Sequence, residues 1–510
     1  MAYIERTDTF IAGLGFEAYR VGGSVRDELI GRKVKDADYM IRGVGLAKLG
    51  IALKDAAIRY DPANKSNVVS PLVLRDGRQA GWRVAARGMG LIEVVLPRTE
   101  RPRAPAPGEN VHRAFDIVVD PNLRLDEDAV RRDFTFNALY KIVDPTAGMS
   151  SLTTMSGGAL VENVVDPTNC GLYDLSHKII RTTHPDSFRD DPLRTLRALR
   201  FVSTLGYDLS SNTLDQMREH ADAVNGLSAN GYASGTVLEE LCKLLMGDEP
   251  VKALRLALDT GVLATLLPEL APMIGFDQGS RYHDLTTDEH TFAALTTATH
   301  VDAPLRVRMA LLFHDAGKPE TAWIGKDGRK HYYAQDGTAS RSVASGAPMM
   351  VATEDHEVAG ARIWNKTARR LNAGNGLRED VRLLIRNHMV TVDGKLKGSK
   401  VRRMRVQFGD ELLADLFLHR MCDLTGKGKP NKGHIEQISR MELLRREAEK
   451  DNVPTSPRDL KINGHDVRAI GADGRKIGEI LNAVLDDVVC QPTEQTMSRE
   501  WQLTRAEALA

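Results

Sequence analysis

The apolar, strand-like run Tyr19-Arg20-Val21 ends at two adjacent glycines, and the twenty residues beyond them admit few folds. A turn at Gly22 and Gly23 can bring bare backbone N–H groups against a phosphate, because neither residue carries a Cβ. Ser24 to Ile30 reads as a short helix whose N-terminus faces an anion, and Arg26 adds a full charge beside it. After a further turn at Gly31, Asp36 and Asp38 stand two apart in a second strand, so both carboxylates project from one face. Paired oxygens on one face suit Mg²⁺. Two such ions can activate an attacking hydroxyl and neutralise a leaving pyrophosphate. An isolated Asp-x-Asp is more often a solvated surface pair. The glycine turn, the arginine and the carboxylates in one short unit reverse that balance.

A chain of 510 residues, 42% hydrophobic and 27% charged, has room for two to four domains with ample core. Lys+Arg and Asp+Glu both number 69, so any nucleic-acid surface must be a local basic stripe balanced by acid elsewhere. Cys170, Cys242, Cys422 and Cys490 lie far apart without a Cys-x-x-Cys spacing, which argues against a zinc knuckle and against a disulfide framework. The N-terminal MAYIERTDTF has no apolar h-region, and no apolar run nears the roughly 20 residues of a membrane span. The expectation is a soluble cytoplasmic protein with no membrane partner.

The stretch GGSVRDELIGRKVKDADY resembles the signature of class II nucleotidyltransferases, the superfamily of bacterial tRNA CCA-adding enzymes and poly(A) polymerases. That resemblance implies an α+β fold: a small mixed-sheet, polymerase-beta-like head followed by an all-α neck, body and HD domain. Downstream segments extend it. Leu91 to Arg101, LIEVVLPRTER, reads as a core strand ending in charge, with Glu93 a candidate third carboxylate or a solvated strand-edge residue. The Pro-rich RPRAPAPGEN reads as an extended loop. RRDFTFNAL matches the superfamily closely, and by that resemblance Arg132 and Asp133 contact the nucleotide sugar and triphosphate. Taken alone, the same two residues are a charge pair at a helix start. Of two VDPT tetrads, the second fits the expected neck element through Asp166, Gly171, Asp174 and Leu175, so the span between them reads as an insertion or added hairpin.

In HPDSFRDDPLRTLRALRF, Asp190, Asp191, Arg194, Arg197 and Arg200 recur at spacings of three and four, with Leu193, Leu196, Leu199 and Phe201 supplying an apolar side. By itself this is a salt-bridged amphipathic helix. The resemblance implies more: Asp191 and Arg194 hydrogen-bond the Watson–Crick edge of incoming CTP or ATP, and Arg197 and Arg200 reach phosphates. Gly22, Gly23 and Arg26 complete the implied nucleotide-binding set, with Asp36 and Asp38 catalytic and Mg²⁺-binding.

Beyond a helix-rich body, histidines gather: His283, His290, the pair His314-Asp315, His356, His388, and then Asp423. Imidazole suits a transition metal and carboxylate suits bridging. This ordered series resembles the HD phosphohydrolase superfamily, in which metal-activated water cleaves phosphomonoesters or cyclic phosphates. The resemblance implies that His290, His314, Asp315 and Asp423 bind a divalent transition metal, with His356 and His388 as further ligands or phosphate contacts. Lys318 stands close enough to help hold a phosphate. The basic runs KLKGSKVRRMR and KGKPNK are solvated faces or tracks for an RNA backbone. Near the C-terminus, DLKINGHDVRAIGADGRKIGEILNAVL resembles an element that follows HD domains in these enzymes.

The expected organisation is a nucleotidyltransferase head over 1–150, a helical neck and RNA-binding body over 151–275, an HD domain over 276–430 and a helical tail over 431–510. The expected function is addition of CCA to the tRNA 3′ end from CTP and ATP. Rival readings are poly(A), CC-only or A-only addition, an HD phosphohydrolase whose head only binds RNA, and a tRNA-binding chaperone on a remnant scaffold.

Overall fold

Side chains along two short strands alternate between two buried layers. Ala18, Tyr39 and Ile41 pack with Phe10 and Ile11 of the helix Ala2–Ala12 and with Leu49 and Leu53 of the helix Leu46–Tyr60. Tyr19, Val21 and Met40 point the other way, against Ala129, Ala138 and Tyr140. A period of two with both faces apolar is what a strand inside a sheet requires. The protein is described from a computed structural model over residues 2–34, 37–60, 68–73, 79–86, 90–95, 113–120, 124–143, 155–156, 159–160, 163–227, 234–279, 284–324, 328–333, 354–390, 396–427 and 432–510.

The sheet is built from Glu17–Val21 (β1), Asp38–Arg42 (β2), Val68–Val73 (β3), Gln79–Ala86 (β4), Gly90–Val95 (β5), Arg113–Asp120 (β6), Tyr140–Ile142 (β7) and Val164–Val165 (β8). They lie in the order β8-β7-β1-β2-β6-β5-β4-β3. Pairings β2·β6 and β5·β6 are parallel and the others antiparallel, so the sheet is mixed as expected. Strands β3 and β4 extend it at one edge. The backbone register sets Glu93 of β5 opposite Asp116 of β6. Between the two VDPT tetrads, where an insertion or added hairpin is expected, Met155–Ser156 and Ala159–Leu160 pair antiparallel. RPRAPAPGEN lies outside the described residues.

The chain divides into two compact units, Met1–Ala198 with Gly206–His220, and Leu199–Leu205 with Ala221–Ala510. In the first, buried Asp166 accepts hydrogen bonds from the Leu172 N–H and the Thr168 hydroxyl, capping the short helix Gly171–Ser176. Asp174 on that helix accepts from Thr135 and from the Arg181 guanidinium. A small parallel pair, Ile179–Ile180 with Asp208–Leu209, lies outside the main sheet.

The second unit is helical apart from a short antiparallel pair, Trp323–Ile324 with Lys330–His331. Buried Arg308 donates to the carbonyls of Ala303, Leu245 and Gly247, two of which close the end of the helix Ser234–Leu245. Carbonyls at a helix end have no partner inside the helix, and the guanidinium fork supplies one. The C-terminal segment carries a core of its own, centred on Ile480, Val484 and Val488 of the helix Gly474–Cys490. Among the described residues no helix is long and apolar enough to cross a membrane, and Cys170, Cys242, Cys422 and Cys490 are free thiols.

Candidate functional site

The glycine turn takes the shape its composition allows. Gly22 has φ 71°, in the region that L side chains avoid, and a Cβ there would lie 3.2 Å from the Arg132 Nη1. The turn leads directly into the helix Gly23–Leu29. Val21, just before it, pairs across the sheet with Asp38, the exposed first residue of β2. Asp36 lies outside the described residues.

A hydrogen-bonded chain runs from this turn to the helix Leu193–Leu205. Arg26 Nη1 donates to Asn137 Oδ1 at 2.7 Å, and Asn137 Nδ2 donates to Asp133 Oδ1 at 3.0 Å. Asp133 Oδ2 in turn accepts from Arg197 Nε at 2.8 Å and Nη2 at 2.6 Å. Burial works to raise the Asp133 carboxyl, yet the Arg197 fork and Asn137 hold it below the usual carboxylate range. Both its oxygens are engaged inside the protein, so here it holds the framework together. Arg132 donates through Nε to Asp128 and to the Tyr140 hydroxyl, and its Nη1 faces the glycine turn.

One turn before Arg197, Arg194 donates to the Ser187 hydroxyl at 2.9 Å and to the Arg131 carbonyl at 2.5 Å. Its Nε lies 3.8 Å from Asp191 Oδ2, while Asp191 Oδ1 accepts from the Leu193 N–H at the helix start. The expected base-reading pair is thus adjacent, with Asp191 still 31% exposed. Arg200 is committed elsewhere: its Nε lies 3.1 Å from buried Glu240. Sequence reasoning passed over Asn137. Its signal was present, as the amide in the largely apolar and buried run Phe134 to Tyr140, where only a hydrogen-bonding task justifies such a side chain.

The second constellation lies in the helical unit. His290 comes from the helix Thr287–His300 and His314 from the end of Leu305–Phe313, with Asp315 next to it. His356 starts His356–Arg370, His388 ends Asn375–Asn387, and Asp423 lies near the end of Gly398–Thr425. All six are buried. They form two triads, His290-His314-Asp423 and Asp315-His356-His388, each with three ligand atoms within 4.8 Å of one another. Asp315 links them: its Oδ2 is 3.2 Å from His314 Nε2 and its Oδ1 is 3.7 Å from His356 Nε2.

Each of the four histidines turns its Nδ1 to a backbone carbonyl: His290 to Gly426, His314 to Leu311, His356 to Tyr332 and His388 to Ile385. A proton on Nδ1 leaves Nε2 as a bare lone pair pointing inward. His290 and His314 then face each other at 3.2 Å through Nε2, and His356 and His388 at 3.3 Å. Two lone pairs so close repel unless a cation lies between them, so this donor set fits a metal ion in each triad. Burial pushes His356 down to about 4 and lowers His388 well below the ordinary imidazole value, so both are neutral at pH 7. Against burial, Asp315 raises the His314 imidazole above its ordinary value, so before a metal binds a proton at His314 takes the place of the cation. His314 and Lys318 in turn hold Asp315 well below the carboxylate range, and Lys427 and Arg420 do the same for Asp423.

His283 lies outside the described residues. A further histidine was missed in the sequence: His419 is fully buried, its ring 5.6 Å from that of His314 and 5.8 Å from that of His388. It stands one helical turn before Asp423, a spacing that could have marked it.

The fold is that of solved CCA-adding enzymes. The chain aligns over 99% of its length with 98% of the Bacillus stearothermophilus CCA-adding enzyme in complex with CTP, at 20% identity and a TM-score of 0.58. It aligns over 99% with 94% of the Thermotoga maritima CCA-adding enzyme complexed with tRNA, at 18% identity and a TM-score of 0.53.

Two family descriptions match the first part of the chain in sequence. Residues 18–181 match a family described as the poly A polymerase head domain, and residues 206–274 match one described as the probable RNA and SrmB-binding site of polymerase A. Among curated proteins, the multifunctional CCA protein of Cupriavidus necator is 31% identical over 307 residues, 60% of this chain and 64% of that protein. The multifunctional CCA protein of Nitrosococcus oceani is 32% identical over 306 residues, with the same coverage. The chain thus spans a little under two thirds of these relatives.

Proposed function

We propose that this protein adds CCA to the 3′ end of tRNA from CTP and ATP, in the cytoplasm, and carries a second, metal-dependent phosphohydrolase centre. The observation that carries the first activity is the chain Arg26-Asn137-Asp133-Arg197. It ties the helix behind the glycine turn to the helix that follows Asp191 and carries Arg194, so the triphosphate and the base of one nucleotide are addressed by a single frame. The Gly22-Gly23 turn, Arg26 and Arg132 hold the triphosphate. Asp191 accepts from, and Arg194 donates to, the polar edge of the base, so side chains choose the nucleotide in place of a template strand. The tRNA 3′-hydroxyl oxygen bonds to the α-phosphorus, the bond to the bridging oxygen breaks, pyrophosphate leaves and the hydroxyl proton passes to solvent. Asp36 and Asp38 would hold Mg²⁺, which would supply charge neutralisation for that displacement. The names of the similar proteins, which include CCA-adding enzymes solved with CTP and with tRNA, support this reading.

Incubation of a tRNA lacking CCA with CTP alone, ATP alone and both tests it. Two C residues from CTP alone and a single A following them when both are present is the expected result. Long A tracts on generic RNA would replace it with poly(A) synthesis, and arrest after CC, or addition of A only to a CC end, with the partial specificities.

The two buried triads favour the second activity, removal of phosphate from phosphorylated or cyclised RNA ends. His290, His314 and Asp423 would hold one divalent transition metal and Asp315, His356 and His388 another, supplying an activated water and Lewis acidity. Lys318 stands beside Asp315 to receive the phosphate. Asp38→Ala is expected to abolish nucleotide incorporation and leave phosphatase activity intact; loss of both would refute two separate centres.

A further inference from the structure

The phosphohydrolase centre holds more positive charge than its carboxylates need. Asp423 already has a dedicated counter-ion, since Arg420 Nη1 donates to its Oδ2 at 2.5 Å and both groups are buried. Lys427 nonetheless brings its ammonium to 3.7 Å from the other oxygen, Oδ1, the same atom that lies 3.0 Å from His290 Nε2. Its side chain is only 11% exposed. At the other carboxylate, Lys318 Nζ donates to Asp315 Oδ2 and to Gln278 Oε1, each at 2.7 Å. Glu357, beside His356, is matched by Arg386 at 3.7 Å. Among these groups two ligand carboxylates face three cations before any metal is bound. Divalent ions in the triads would add further positive charge, and a buried excess of that kind calls for an anion.

We propose that Lys427 and Lys318 form a two-sided clamp that seats a phosphoryl dianion over the two triads, making terminal phosphomonoesters the preferred substrates over 2′,3′-cyclic phosphates. The proposal rests on the metal-dependent phosphohydrolase reading. Lys318 reaches the ion from the Asp315 side and Lys427 from the Asp423 side, so each ammonium takes a different non-bridging oxygen. A monoester presents two negative charges to this excess and a cyclic diester one. In the reaction, a water oxygen bonds to phosphorus, the ester P–O bond breaks, the leaving alkoxide takes up a proton and inorganic phosphate is released.

The test uses the full chain loaded with Ni²⁺ or Co²⁺, with metal content measured by elemental analysis and inorganic phosphate binding by calorimetry. Lys427→Gln is expected to keep its metal and melting temperature while the phosphate Kd rises about tenfold, the loss of one charge-assisted hydrogen bond. Lys427→Arg should bring the Kd back near the wild-type value. The ratio of kcat/KM for RNA 3′-phosphate over 2′,3′-cyclic phosphate should fall in Lys427→Gln alone. Unchanged phosphate affinity in that variant, or loss of metal from it, would overturn the clamp and leave Lys427 as a partner of Asp423. Metal-loaded wild type that binds no phosphate would overturn the clamp by itself, whereas wild type that takes up no metal would overturn the phosphohydrolase reading beneath it.

Discussion

Gly317 lies at the junction that brings the two triads together, and alanine there should pull them apart. A Cβ at position 317 would fall 2.2 Å from the His356 carbonyl oxygen, 2.7 Å from the Ala359 Cβ and 2.7 Å from the Gly360 nitrogen. These atoms belong to the first turns of the helix His356–Arg370, so no side-chain rotation relieves the contact. Restoring ordinary van der Waals separation takes about 1 Å of backbone movement. Overpacking of this kind costs about 1–3 kcal/mol, which for a unit this large is a drop of roughly 2–10 °C in melting temperature. Metal–ligand bonds tolerate about 0.2 Å, so His356 should leave the Asp315-His356-His388 triad. Calorimetry of the metal-free protein and metal analysis after loading with Ni²⁺ read the two effects, the stoichiometry falling by about half while CCA incorporation by the head stays at the wild-type level. Gly478→Ala is the control: the site is within the helix Gly474–Cys490, with nothing within 4 Å of the added Cβ, and a gain of about 0.5–1 kcal/mol is expected. A Gly317→Ala protein that melts within about 1 °C of wild type and binds its full metal complement would refute the reasoning.

Asn137→Ala should raise KM for CTP and ATP about tenfold and cost about 1–3 kcal/mol of stability, because Arg26 and buried Asp133 each lose a partner. Asn137→Asp should not rescue it, since the new carboxylate would stand 3.0 Å from Asp133 Oδ1; nucleotide-concentration series on the three proteins decide this. Burial pushes His419 down to about 3, so between that value and the unfolded imidazole value the unfolded chain binds the extra proton and stability falls as pH falls. Urea unfolding at pH 7 and pH 5 should show a loss in wild type that is smaller by about 2 kcal/mol in His419→Met, the remainder coming from His356 and His388, which burial also lowers. Burial pushes the Cys422 thiol up to about 12 and Cys242 up to about 11, so at pH 8 both should react with a disulfide reagent far more slowly in the native protein than after unfolding, as thiol titration with time would show.

Much of the head was legible because its chemistry is local. The glycine turn, the helix after it and the strand bearing Asp38 are consecutive in the chain, and their identities follow from the conformational freedom of glycine and from strand alternation. The pairing of Asp191 with Arg194 is likewise a matter of helical spacing. Spacing says less about partners: Arg197 and Arg200 lie on one helix at i and i+3, with Arg197 against Asp133 and Arg200 against Glu240. A periodicity places a charge on a face but does not say which carboxylate, far off in sequence, will be folded against it.

Sequence alone determined the chemical inventory: the Gly22-Gly23 turn, the strand that begins at Asp38, and six histidines and aspartates in an order that resembles the HD phosphohydrolase superfamily. Their division into two triads, the inward aim of every Nε2, the part of Asn137 as a link and the convergence of Lys318 and Lys427 on one centre were decided by tertiary packing. The grouping into triads and the link from Arg26 to Asn137 depend on contacts between residues from roughly 30 to more than 130 positions apart, brought together when helices bury their apolar sides, and spacing in the chain does not name those partners.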